Sequence, residues 1–449
     1  MCRITKTNTF SLEILSLTSS DGKKKVDLRA IFNELNVYAD MDNIVLTGSV
    51  KVTEKGNLIS SFPIIGKELI EVKFNSSSGA KKQYGDFHKV FFVYAVDSIQ
   101  EYADTRSYVI RFTDVCALIN NDIRLSIKFN DKPEEIISKV GNIINKDEAY
   151  KEAYSNFAID NNLAYTLFDL KKMVSSQYDT KITVPNWKPF SLITYLANRA
   201  VSTDVNLAEN NRFTDCLFFQ QVDGKFVFTS YKQLFSTALQ SGDRTEVKFL
   251  RQPSNLADAS GNFIKYNIVN FNFNNMFNVQ TQKATGLLGY TVFTADMLLK
   301  NQIESEVKYS DVFDIISQYK TVTTGDANKY FTIDYTQTPL YLEVVYNINS
   351  DPDEKEREKY VYPAVIKGNP VRQHLRSLTM TLELDGASDL DIGKYITVDL
   401  GKNPNTKVFT IGDYVKDTKW VISKIKHTIT VSSYKTYVEC FTPVLRKGK

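Results

Sequence analysis

Two neighbouring stretches near the C-terminus decide how the chain is read. The first is Lys419-Trp420-Val421-Ile422-Ser423-Lys424-Ile425-Lys426-His427-Thr428-Ile429-Thr430. The second is Tyr434-Lys435-Thr436-Tyr437-Val438-Glu439-Cys440-Phe441. Apolar and polar residues alternate in both, and successive side chains of a strand point to opposite faces. Each reads as a strand with one face in a core and the other wet. Trp420 alternates with Ile422, which points to sheet packing. His427 sits mid-strand between Lys426 and Thr428, as a histidine satisfied within a sheet would.

Working outward, 377–384 and 395–400 repeat the pattern, so the last 90 or so residues are β. The N-terminal 8–115 are similar. Phe10, Leu12 and Ile14 alternate with polar residues, and Asp21-Gly22 offers a hairpin turn. Residues 27–38 are helix-like in part, and 44–52 alternate again. Glu54-Lys55-Gly56-Asn57 is a turn and 58–65 the next strand. Residues 68–74, 89–98 and 107–112 complete six or seven strands, a spacing that fits a small barrel or sandwich. The longest wholly apolar run, 90–96, is far below the roughly 20 residues of a membrane helix and reads as a buried strand.

The pattern changes near residue 116. Ile136, Ile137, Val140, Ile143 and Ile144 recur at spacings of 3 and 4, an amphipathic helix with Pro133 in its first turn. A second helix follows Pro189, with Leu192, Tyr195, Leu196 and Arg199 on one repeat. Asp223-Gly224 joins 216–219 to 225–229 in a hairpin. In 264–279 apolar residues alternate with Asn, a strand with one wet face. Residues 286–296 are another extended piece, and 351–359 an exposed charged loop or short helix.

The 449 residues predict several domains. Lys+Arg 55 against Asp+Glu 52 leaves +3, too balanced for a protein that grips DNA. Lys23-Lys24-Lys25 reads as a solvated hairpin tip. Cys2, Cys116, Cys216 and Cys440 are too dispersed for a CxxC pair and read as reduced thiols. The first residues lack the apolar stretch of a signal peptide. With 25 Tyr and 28 Phe the chain is aromatic-rich, as strands and buried interfaces are.

Chemistry is sparse. HExxH, GxSxG, GxGxxG and a Gly-rich phosphate loop are absent, and His88, His374 and His427 are far apart. No catalytic, cofactor or metal residue is assigned. Asp389 and Asp391 could share one strand face and bind a cation or serve a glycosidase, or simply form the turn into a strand. Trp187 could stack on a sugar, or anchor a helix start in a core or subunit contact. Trp187, Asp389 and Asp391 motivate an alternative reading as a carbohydrate-binding or carbohydrate-active β-protein. The interface candidates are Trp187, Phe190, Trp420 and Tyr395.

Several segments in order resemble one family, the central baseplate hub of contractile-tailed bacteriophages, related to the base of secretion-system spike proteins. The C-terminal segments 371–386, 391–398, 419–429 and 434–440 resemble it most. VPNWKPFSLITYLANRA at 184–200, then CLFFQQVDGKFVF at 216–228, resemble its helix-then-hairpin element. Residues 268–277, 285–290 and 293–300 resemble its inserted domain. Residues 10–17, 45–52 and 65–70 resemble its first tube-like domain, and 124–144 the helix after it. Residues 146–180 and 351–359 have no counterpart.

The resemblance implies a mainly β chain with α+β inserts: two tail-tube-like β-barrel domains plus two smaller mixed domains. The expected division is 1–115 first barrel, 116–212 mixed domain, 213–262 the hairpin opening the second barrel, 263–345 inserted mixed domain, and 346–449 the rest of the second barrel. It further implies a non-enzymatic homotrimer without cofactors in the virion tail baseplate, assembled in the host cytoplasm. Its six barrels would adapt a threefold spike to a sixfold tube. Implied partners are the central spike, the tail tube or tube-initiator protein, baseplate wedge proteins and the tape-measure protein, with DNA passing unbound through the channel. A bare tube or sheath subunit fits less well, given the long inserts.

Overall fold

The computed structural model describes residues 10–56, 58–76, 87–148, 150, 167–203, 213–240, 245–248, 267–275, 289–296, 301–308, 340–343, 367–368, 371–373, 375–400, 415 and 418–443. The alternating N-terminal segments form β1 (Phe10–Thr18), β2 (Lys25–Asp27), β3 (Phe32–Asp40), β4 (Thr47–Glu54), β5 (Leu69–Ser76), β6 (Phe87–Tyr102) and β7 (Thr105–Thr113). Their order is β2-β1-β5-β6-β7-β4-β3, each pair antiparallel. Gly22 takes φ +71 in the β1–β2 turn, which a glycine adopts without strain.

Two local expectations are corrected. The helix-like 27–38 is mostly β3. A register shift between Phe32 and Glu34 lets Phe32 and Leu35, three positions apart, both be buried, and that spacing imitates a helix. The predicted strand 58–65 begins as the short helix Leu58–Ser61, because the Glu54 carboxylate accepts from the Leu58 N–H at 2.8 Å.

The mixed region carries β8 (Lys128–Asp131), β9 (Leu170–Lys172), β10 (Thr180–Thr183), β11 (Cys216–Gln220) and β12 (Phe226–Ser230). Helices Val115–Asp122, Pro133–Ile144 and Pro189–Arg199 surround them. Pro sits at the start of the last two, where its missing N–H costs nothing. Ile136, Ile137, Val140 and Ile144 form the buried stripe, and with Leu192, Ile193, Leu196, Phe226 and Phe228 they build a core of their own.

The rest of the chain supplies β13 (Thr245–Lys248), β14 (Ile268–Asn275), β15 (Gly289–Asp296), β16 (Asn301–Lys308), β17 (Leu340–Glu343), β18 (Leu378–Asp385), β19 (Tyr395–Asp399), β20 (Lys419–Thr430) and β21 (Tyr434–Thr442). Strands β15–β17 make a separate three-stranded sheet. The hairpin β11–β12 lies with β9 in its own sheet. Strand β14 pairs with β18 in the main sheet. The charged segment 351–359, Cys2 and His374 lie outside the described residues.

β20 joins the two ends of the chain. Its first residues pair with β19, through Val421↔Tyr395, and its remainder pairs with β3, from Lys424↔Asp40 to Thr430↔Glu34. The switch falls at Ser423, where the register against β21 also slips. One sheet of 13 strands results, running β14-β18-β21-β20-β3-β4-β7-β6-β5-β1-β2, with β13 and β19 attached at β20. Its inner face is one continuous core containing Val50, Ile110, Phe112, Leu382, Ile425 and Val438. At Gly386 the backbone runs under Tyr434, where a Cβ would lie 2.0 Å from the ring.

Candidate functional site: a continuous polar sheet face

Residues paired across strands share a face. One row reads Asn272, Thr381, Glu439, Lys424 and Asp40. The next reads Asn270, Glu383, Tyr437, Lys426 and Tyr38. A third runs Asp385, Lys435, Thr428, Asn36, Ser49, Arg111 and Ala95. Every row crosses the β20–β3 seam, so both ends of the chain contribute to one polar wall. The opposite phase of the same strands, such as Leu382, Val438 and Ile425, is buried.

Four bases on this wall lie against side chains of neighbouring strands. Lys424 Nζ lies 3.8 Å from Asp40 and 3.7 Å from Glu439, and Lys435 is paired with Glu383. Arg111 is paired with Asp97. Lys426 Nζ stands 5.6 Å from the Tyr38 ring centre and 5.8 Å from that of Tyr437. The hydrogen bond that Lys435 donates to Glu383 raises the Lys435 pKa, and that from Arg111 lowers the Asp97 pKa. Lys424 and Lys435 still expose 42% and 39% of their side chains, so they belong to the surface.

Both ends of this wall are open edges among the described residues. β5 follows β6 only as far as Phe92, so the stretch beyond Val93 pairs with β7 alone. Exposed Tyr94, Ile99 and Tyr102 lie along it, with Ile65 in the segment leading into β5. At the far end β14 pairs only with β18, and Val269 is exposed there. Asn270, Asn272 and Asn274 are also exposed, giving the expected wet face.

The interface candidates fall elsewhere. Trp420 is fully buried beside Phe273, because the alternation that makes β20 a strand turns it inward. Phe190 is in the second core, with its N–H donated to Asn120. Tyr395 is buried under Lys419. These three side chains pack within the chain. Trp187 keeps a half-buried ring, edge-on to Tyr195, on which Arg199 stacks at 4.1 Å.

Of the possible acid pair, Asp391 serves as a structural clamp. Asp391 is buried, and its Oδ1 accepts from the Val222 and Ile392 N–H groups, both at 2.8 Å, clamping the β11–β12 turn to the approach to β19. Burial pushes its pKa up to about 6, despite those N–H groups and Lys394. A folded-state pKa above the unfolded value adds stability at low pH that is lost as the pH rises through about 6. Asp391→Asn keeps an acceptor for both N–H groups without the charge. It is expected to be neutral or stabilising by about 1–2 kcal/mol at pH 8, whereas Asp391→Ala should cost about 1–3 kcal/mol. Urea melts at pH 4 and pH 8 check this, and an Asn variant as damaged as Ala would refute it.

The two described histidines are equally structural. His88 contacts Glu71 at 3.0 Å. His427 is buried, its Nδ1 bonded to the Tyr434 hydroxyl at 3.0 Å, and burial pushes its pKa down to about 3, so the ring is neutral. Cys116, Cys216 and Cys440 are buried free thiols whose pKa burial raises. Among the described residues, no group of three or more His, Cys, Asp or Glu is placed to hold a metal, and no helix is long and apolar enough to cross a membrane. A polar network that sequence reading missed joins the first strands to the mixed region. Asp114 caps helix Val115–Asp122, meets Lys89 Nζ at 2.8 Å and accepts from Gln220 at 2.9 Å. Its members lie far apart in sequence, so no local spacing marks it.

This mainly β architecture is similar to the fold of a solved prophage tail protein. The 43 kDa tail protein of prophage MuSo2 from Shewanella oneidensis matches it with a TM-score of 0.50 at 11% identity, over 96% of this chain and 98% of that one. A tail protein from Neisseria meningitidis MC58 gives 0.48 at 9%, over 95% and 96%. A type VI secretion system component of E. coli gives 0.42 at 8%, over 98% and 78%. No protein-family model and no curated protein sequence matches the chain.

Proposed function

We propose that this chain is a structural, non-catalytic virion protein, the trimeric central hub of a phage tail baseplate. The observation that carries the reading is the eight-strand wall β6-β7-β4-β3-β20-β21-β18-β14, open at two unlike edges among the described residues. Open edges seek partners. Unlike edges that meet between copies make a heterologous contact, which closes into a ring when the rotation permits. Three copies, each with two tube-like halves, give a sixfold upper face on a threefold body. The full-length likeness to a prophage tail protein supports this, as do the ordered hub-like segments.

In this reading the hub joins the tail tube or its initiator above to the central spike below. Wedge proteins meet its outside, the tape-measure protein ends near it, and DNA leaves through the ring. The expected view in negative-stain class averages, with or without the spike, is a threefold ring with a central hole. Mass photometry that finds only monomer under both conditions would overturn the proposal.

A further inference from the structure

The seam strand β20 turns one histidine, His427, into the main core, where it is 1% exposed. Its register partners are Val37 on β3 and Thr436 on β21. Its ring meets Phe74 of β5 edge-on at 5.5 Å, and lies 6.3 Å from Phe87 of β6 and 5.9 Å from Tyr434 of β21. The ring therefore packs against strands from both ends of the chain. We propose that His427 is an acid-sensitive pin: its neutral ring holds β20 and β21 against β5 and β6, and its protonation loosens that contact. This goes beyond the hub reading and does not depend on it.

The argument starts from the ring's partners. Nδ1 is 3.0 Å from the Tyr434 hydroxyl and 3.3 Å from that of Thr436, which itself accepts from the Ala387 N–H at 2.9 Å. Nε2 is buried and has no hydrogen-bond partner among the described residues. Either neutral tautomer can bond through Nδ1. The imidazolium must bury a whole charge as well, which costs far more than an unpaired dipole. Little around it answers that charge. β20 places Ile425 and Ile429 on the same face, β3 places Val37, β5 Phe74 and β6 Phe87. β21 brings Tyr434, whose hydroxyl burial keeps protonated. The segment before β19 brings Asp389, whose charge favours the imidazolium but is outweighed by burial. A histidine whose pKa falls on folding stabilises fully above its unfolded value of about 6.5. That contribution is lost as the pH drops from there towards about 3. The Asp391 effect has the opposite sign, and it is common to wild type and any His427 variant.

The test is urea unfolding of the full chain at a series of pH values from 7 to 4, for wild type and His427→Gln. Emission of Trp420, which lies on the same strand, reports the opening in a Trp187→Phe background. Gln keeps a donor and an acceptor but takes up no proton. Between pH 6 and pH 4 the unfolding constant of wild type should rise about 50-fold more than that of His427→Gln. A difference below about threefold overturns the proposal, and would mean that the aromatic rings accept the cation. Should His427→Gln fail to fold, NMR of the chain labelled in its three histidine rings gives a second answer. The ring signal that survives in the His88→Gln, His374→Gln double variant is that of His427. It should remain neutral at pH 5, and a ring half protonated near pH 6 overturns the proposal.

Discussion

Lys89→Met should lower the unfolding free energy by about 3–5 kcal/mol, the usual cost of leaving one member of a buried ion pair alone. Lys89 and Asp114 are both nearly buried, at 10% and 6% side-chain exposure. Burial by itself would raise the Asp114 pKa. The Lys89 charge and hydrogen bond, with the N–H of Cys116 and the Gln220 amide, outweigh it and hold the carboxyl below its usual value. A depressed carboxylate adds stability above about pH 4 that is lost as the pH falls through the folded value. The Lys89→Met penalty should therefore be full at pH 7 and shrink at low pH, where the carboxyl can protonate. Adding Asp114→Asn should recover a large part of it, because an amide needs no counter-charge. Urea unfolding of the four proteins of this cycle measures the coupling. A Lys89→Met penalty below about 1 kcal/mol at pH 7 would contradict the buried-pair account.

The second large effect is expected at Trp420. Trp420→Ala should cost about 3–5 kcal/mol in the isolated chain, through lost burial and the cavity left behind. Its ring is fully buried in the main core beside Phe273, and among the described residues the indole N–H has no hydrogen-bond partner. Trp420→Phe therefore gives up some volume but also removes a buried unpaired donor, so it should cost far less than Ala. Denaturant melts separate the two variants. If Trp420→Ala left monomer stability intact and weakened only assembly, the side chain would be an interface residue after all.

Much of the fold could be read along the chain. The alternation in 419–430 and 434–441 matches β20 and β21 closely. The isoleucine stripe matches helix Pro133–Ile144, and Asp223-Gly224 the β11–β12 turn. What misled was local geometry that copies another period. The bulge after Phe32 makes a strand look helical. The site was less legible. An aromatic in an alternating strand carries no mark of whether its neighbour is the same core or another chain, and this is why Trp420 and Tyr395 read as interface candidates. Asp391 looked like half of an acid pair because sequence gives spacing, whereas its role depends on the Val222 N–H, 169 residues away.

Phase within a strand is a local property. Each side chain's solubility determines which of two faces it takes, so the sequence by itself determined that Lys424, Lys426 and Lys435 lie opposite Ile425, His427 and Val438. Which strands lie side by side is decided by backbone hydrogen bonds, whose donors and acceptors are the same at every residue. Nothing local says that Thr428 will donate to Asn36 across 392 residues, or that β20 will leave β19 for β3 at Ser423. Only the tertiary structure joined the two ends of the chain into one sheet, and with that joined sheet came the open-edged polar wall on which its proposed function rests.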